Sequence, residues 1–274
     1  AASDVYKRQK QSSPDMFATG SFAGRIVGDV SVENCTVTNA SVTNVKGMTG
    51  GFVGYTSGEA TYILGNVTAG VVELLSTLLN ILPGVGLGDL ITILLKNDVP
   101  LGQLLPNGYY KPLIQNSSVS LSEGSIGTTG TGKETVNYNG GFVGSQTGTD
   151  INNCSVTGLN QVVADIGDGG FAGIEKDAQV KGLLSDLGAE IKTFDIRSTQ
   201  RNCHVDASDL SVTATDSYAG GFNGVMANSS SIESNVSGVK LVKANQYAGG
   251  FAGRATSGYG MAVGSKDEQN DTLL

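Results

Sequence analysis

Gly140-Gly141-Phe142-Val143-Gly144, with Asn153-Cys154-Ser155-Val156 a short distance downstream, is the stretch that decides how this chain is read. Its first part is one of six copies of Gly-Gly-Phe-small-Gly, centred on Phe22 (as Gly20-Ser21-Phe22-Ala23-Gly24), Phe52, Phe142, Phe171, Phe222 and Phe251. Where nothing is inserted the step is 30 residues (22 to 52) or 29 (142 to 171 and 222 to 251). A fixed period of that size is the mark of a stacked repeat. The second part recurs in phase as Asn34-Cys35-Thr36-Val37 and Asn202-Cys203-His204-Val205, with a weaker copy at Glu233-Ser234-Asn235-Val236.

Around the second anchor apolar and polar residues alternate, as in Val30-x-Val32 and Leu210-x-Val212, with Ser, Thr and Asn between them. That is strand chemistry. The glycine pairs before each Phe suit positive φ at a corner and close approach of neighbouring coils. A unit of this length made of strands cannot bury its own apolar face, so consecutive units must stack, one strand spacing of about 4.8 Å apart. The expected fold is all-β: a parallel β-helix of about five to six coils, with Phe and Cys/Val columns pointing inward and an Asn ladder at a bend.

Composition agrees with a turn-rich β stack: 274 residues, 40 of them glycine, only 15% charged and 39% apolar. With a net charge of −8 the chain has no basic field for phosphates, which argues against nucleic acid as a partner. Asp4-Val5-Tyr6-Lys7-Arg8-Gln9 resembles a translated sequencing adapter, as in a chain read from assembled environmental DNA, and residues 1–9 fit no repeat register. They are set aside, and the lack of a signal peptide carries no meaning. Residues 10–264 read as a single solenoid and 265–274 as a polar tail.

Two intervals are too long. From Phe52 to Phe142 the step is 90 residues, and Val71, Leu74, Leu75, Leu78, Leu79 and Leu82, then Leu87, Leu90, Ile91, Leu94 and Leu95, follow helical spacing. A smaller excess between Phe171 and Phe222 carries Val180, Leu183, Leu184, Leu187 and Ile191. Helical insertions are therefore expected at about 69–118 and 175–197. Glu73, Pro83 and Asp89 break the first stretch, so no membrane span is expected in it.

Candidate chemistry is sparse. Cys35, Cys154 and Cys203 occupy one repeat position and read as small apolar core residues, and His204 is the single histidine, so zinc is not expected. Asp165 and Asp216 each precede a repeat Phe by six residues in consecutive coils, with Asp168 close by. They read as a solvated turn, as a Ca²⁺ site, or as an acid and nucleophile pair for glycoside chemistry. Tyr138, Tyr218 and Tyr247, with Met48, each lie four residues before a repeat Phe: a sugar-binding ladder or a part-buried column.

The two in-phase anchors, over Gly20 to about Gly264, resemble the GLUG-type repeat of bacterial surface proteins, which include adhesins and segments accompanying IgA-cleaving metallopeptidases. The resemblance implies an extracellular, cell-surface protein of a bacterium, an adhesive or stalk-like scaffold whose partner is a host or bacterial surface protein or glycan. It implies no catalytic residues and no cofactor, and the peptidase's His-Glu-x-x-His motif is absent. A carbohydrate-active enzyme using Asp165 and Asp216 is the alternative.

Overall fold

The computed structural model describes residues 17–44, 47–62, 106–128, 137–178 and 196–257. They form a parallel β-helix. Coil 1 is β1 (Ala18–Gly20), β2 (Ala23–Val27), β3 (Ser31–Glu33) and β4 (Thr36–Asn44). Coil 2 is β5 (Met48–Gly50), β6 (Val53–Ser57), an antiparallel ribbon of β7 (Glu59–Tyr62) and β8 (Pro106–Tyr110), then β9 (Leu113–Gln115) and β10 (Ser118–Thr128). Coil 3 is β11 (Tyr138–Gly140), β12 (Val143–Thr147), β13 (Asp150–Asn152), β14 (Ser155–Thr157) and β15 (Gln161–Ala164). Coil 4 is β16 (Gly167–Gly169), β17 (Ala172–Lys176), β18 (Thr199–Arg201) and β19 (His204–Ala214). Coil 5 is β20 (Tyr218–Gly220), β21 (Asn223–Ala227), β22 (Ser230–Ile232) and β23 (Asn235–Ala244), and β24 (Tyr247–Gly249) and β25 (Ala252–Thr256) begin a sixth.

Equivalent strands stack into four parallel sheets, β1-β5-β11-β16-β20-β24, β2-β6-β12-β17-β21-β25, β3-β9-β13-β18-β22, and a fourth joining β4, β10, β14 with β15, β19 and β23. The register repeats without slippage across the first, as Thr19, Thr49, Asn139, Asp168, Ala219 and Ala248 follow one another. One continuous core fills the coil from Val32, Ile114 and Ile151 on one side to Val119, Val156 and Val205 on another.

The glycines of the anchor answer to close approach. A Cβ on Gly141 would fall 2.1 Å from the Gly170 carbonyl oxygen of the next coil, and one on Gly144 would fall 2.6 Å from the Gly54 oxygen. None of the anchor glycines has positive φ, so the corner explanation offered by the sequence does not apply. Left-handed backbone belongs instead to Asn34, Asn116, Asn153 and Asn202 (φ 51 to 55°), which turn the chain from the third sheet into the fourth. Asn tolerates that conformation better than other side-chain-bearing residues.

The stack reaches further into the first expected insertion than the spacing implied: β8, β9 and the start of β10 lie within 69–118. Likewise β17 runs to Lys176, inside 175–197. The apolar helical patterns from Val71 to Leu95 and from Val180 to Ile191 lie outside the described residues, among which there is no helix. No helix among them is long and apolar enough to cross a membrane.

Candidate functional site

The repeat anchors build one ladder. The rings of Phe22, Phe52, Phe142, Phe171, Phe222 and Phe251 stack in order, with centroids 4.6 to 4.9 Å apart and interplanar angles no greater than 14°. The four inner rings are fully buried, whereas Phe22 is 42% and Phe251 36% exposed. Cys154 and Cys203 are buried in the same core, and Cys35 is half-buried; all three are free thiols. Burial pushes the Cys154 and Cys203 thiols up to about 12, which leaves them protonated and unreactive. The Asn side chains form a ladder of their own: Asn153 Nδ2 donates to Asn116 Oδ1 (3.1 Å) and Asn202 Nδ2 to Asn153 Oδ1 (2.9 Å).

Asp165 and Asp216 stand on consecutive coils, the Asp216 amide donating to the Asp165 carbonyl at 2.8 Å. Asp165 is half-buried and accepts from Asn137 Nδ2 at 3.0 Å, while Asp216 is exposed. Burial first, and the neighbouring Asp216 charge to a lesser degree, raises the Asp165 carboxyl above its ordinary value. Asp168 does not share their setting. It is fully buried in the inward column of the first sheet, where Oδ2 accepts from the Ala164 amide at 2.9 Å, and burial raises its carboxyl well above the usual range. Among the described residues no group of three or more His, Cys, Asp or Glu is placed to hold a metal ion.

The tyrosine column is interrupted. Its register runs Met48, Tyr138, Gly167, Tyr218, Tyr247, and the Tyr138 ring lies over the gap, within 2.5 Å of where a Gly167 Cβ would be. Tyr138 is buried with Met48, Tyr55, Ile174 and Val225 in a second, smaller core. Only Tyr218 and Tyr247 stack, at 5.8 Å, with Arg254 donating to the Tyr218 hydroxyl at 2.8 Å.

A buried polar spine runs inside coils 3 to 5, and the sequence reading missed it. Gln146 Nε2 donates to the carbonyls of Thr149 (2.8 Å) and Thr199 (3.2 Å), and Gln200 Nε2 donates to Gln146 Oε1 (2.9 Å). Asn223 Nδ2 donates both to Gln200 Oε1 (2.9 Å) and to Glu175 Oε2 (3.2 Å). Glu175 and Asn223 have no exposed surface, and burial raises the Glu175 carboxyl well above its usual range.

Residues 137–163 match a family model described as the GLUG motif. Coil 3 carries a GLUG motif. The matched segment is coil 3 almost from end to end, from the residue before β11 into β15. Nothing matches among the curated proteins or among the solved structures.

Set against the GLUG register, the spine is a series of departures. Asn223 takes the small position of the anchor, held by Ala23, Val53, Val143, Ala172 and Ala252 in other coils. Gln200 stands in the column of Val32, Ile114 and Ile151. A polar residue replacing an apolar one at a fixed phase was the signal available. The two long departures also share an address: each leaves its GLUG coil between the second and third sheets, after β6 in coil 2 and after β17 in coil 4. Tyr109, from the ribbon of coil 2, donates to the Gly148 carbonyl of coil 3 at 3.3 Å and fixes the ribbon to that corner.

Proposed function

We propose that the chain is a non-catalytic repeat scaffold of a bacterial cell surface, acting in adhesion or as a stalk that spaces other modules. The GLUG motif supports a surface repeat-type protein. The observation that carries the reading is the position of the departures: the repeated residues build the stack, and the described strands are interrupted at the same corner in alternate coils, after β6 and after β17. A scaffold that presents segments from a fixed corner suits binding, with a host or bacterial surface protein or a glycan as partner, outside the cell.

The test removes residues 63–105. Tyr62 pairs with Pro106 across the antiparallel ribbon, so a two-residue Asn-Gly turn can close it as a hairpin. Glycan-array and surface-protein binding is then compared with the intact chain. Loss of a binding signal with an unchanged circular dichroism spectrum supports display from this corner; equal binding retires it. The second reading, a carbohydrate-active enzyme, draws on the stacked Asp165 and Asp216 and the raised Asp165 carboxyl. It requires glycan turnover that Asp216→Ala abolishes.

A further inference from the structure

We propose that Glu175 is held as the neutral acid and closes a two-bond carboxylic acid–amide ring with Asn223, a proton-dependent clasp between coils 4 and 5. The argument is an inventory of donors and acceptors, and it starts at the backbone. The carbonyls of Thr149 and Thr199 only accept, so they fix the Gln146 amide with its nitrogen toward them. Gln146 Oε1 then faces Gln200 Nε2, which leaves Gln200 Oε1 to accept from Asn223 Nδ2 and from the Ser231 hydroxyl (3.0 Å). Asn223 is thereby fixed as well: its nitrogen serves Gln200 Oε1 and Glu175 Oε2, and neither of its amide hydrogens remains free.

Two buried oxygens are left without a donor, Glu175 Oε1 and Asn223 Oδ1. They belong to the two groups already joined by the Asn223 Nδ2 to Glu175 Oε2 bond. A proton on Glu175 Oε1 supplies the missing donor and Asn223 Oδ1 the acceptor, so a single proton satisfies both atoms. An ionised carboxylate would instead leave a buried charge and an orphaned carbonyl side by side, each costing free energy. The Ser229 hydroxyl favours the ionised form, but it is directed to the Glu175 main-chain carbonyl at 3.3 Å, and burial outweighs it. Gln146, Met226 and Ser229 approach from coils 3 and 5 and are uncharged, and the nearby Cys203 thiol adds no positive charge. Among the described residues Lys111 is the cation whose charge reaches Glu175, and its Nζ is engaged by Asp150 at 2.7 Å.

The clasp is closed at low pH and stays closed above the ordinary Glu value of 4.5. Because folding holds the proton more tightly than the unfolded chain does, its contribution is complete below the ordinary Glu value of 4.5 and is lost as pH rises toward the folded-state value. Opening would loosen the join between coils 4 and 5 beside Asp177, where the second inserted segment departs.

The test is a titration of the intact chain carrying ¹³C-labelled glutamate, followed by NMR, with the Glu175 carboxyl assigned through its own backbone. It is expected to titrate well above the ordinary Glu value of 4.5; titration at that ordinary value would overturn the clasp. Glu175→Gln keeps both bonds, with its amide nitrogen donating to Asn223 Oδ1. Its urea midpoint should match wild type near pH 5 and fall less toward pH 9, whereas an unchanged pH slope would also overturn the proposal. If that variant does not fold, the wild-type titration still decides.

Discussion

Truncating Phe171 to Ala should cost far more than truncating Phe22, although the two occupy the same position of the same repeat. Phe171 is fully buried, with rings 4.9 Å away on both sides, so the substitution removes a whole aromatic side chain and leaves a closed cavity. Buried Phe→Ala changes cost about 3–5 kcal/mol, and each aromatic stack adds about 0.5–1.5 beyond area burial, which places Phe171→Ala near the upper end, about 5 kcal/mol. Phe22 is 42% exposed and stacks on one ring only, so its truncation opens to solvent and forms no closed cavity. About 2 kcal/mol is expected there, by scaling the same terms. The assay is urea unfolding followed by far-ultraviolet circular dichroism and, since the chain has no Trp, by tyrosine fluorescence. Comparable losses at the two positions would refute the reasoning, because they would mean that the inner rings are no better packed than the end ring.

Glycines with the same place in the motif should differ in the same way. A Cβ on Gly170 would lie 2.2 Å from the Gly221 carbonyl oxygen, and one on Gly250 meets nothing within 4 Å, so Gly170→Ala should lower the urea midpoint by an amount equivalent to about 2–3 kcal/mol while Gly250→Ala is neutral. Glu233 carries the left-handed conformation (φ 54°) that Asn carries in the other coils, and Glu233→Asn should stabilise by about 1 kcal/mol in the same assay. Asp168 is a buried acid whose carboxyl is raised above 3.8, so its contribution is complete below that value and is lost as pH rises. Asp168→Asn should accordingly gain stability relative to wild type at pH 8 and show a flatter profile; an unchanged profile would show that Asp168 does not titrate on unfolding.

The coil was legible because two anchors recur in phase: the Phe positions, the Cys column and the Asn bend each follow from spacing alone. Parity along a strand was readable only inside a strand. Asp165 and Asp168 sit on either side of a bend between β15 and β16, so their separation in sequence does not reveal that one faces the corner and the other the core. The break in the tyrosine column was visible, since the residue four before Phe171 is Gly167, but only a reading in full register brings it out. For the anchor glycines the sequence suggested both positive φ and close approach; only close approach holds, and it depends on the backbone carbonyls of the next coil. Gln146, Glu175 and Gln200 look like ordinary polar strand residues until the fold turns them inward, where they bond to one another, to Asn223 and to nearby carbonyls.

The central claim is that residues far apart in the chain share one column of the stack, and a pair of spin labels at Thr36 and Asn235 tests it most directly. These positions are joined through Ser118, Ser155 and His204, in successive coils of the fourth sheet. Four strand spacings put their backbones roughly 19 Å apart. Double electron–electron resonance should give a single narrow distribution consistent with that separation plus the label linkers. A broad distribution, or one centred well beyond 30 Å, would contradict the stacked-coil account on the same spacing argument.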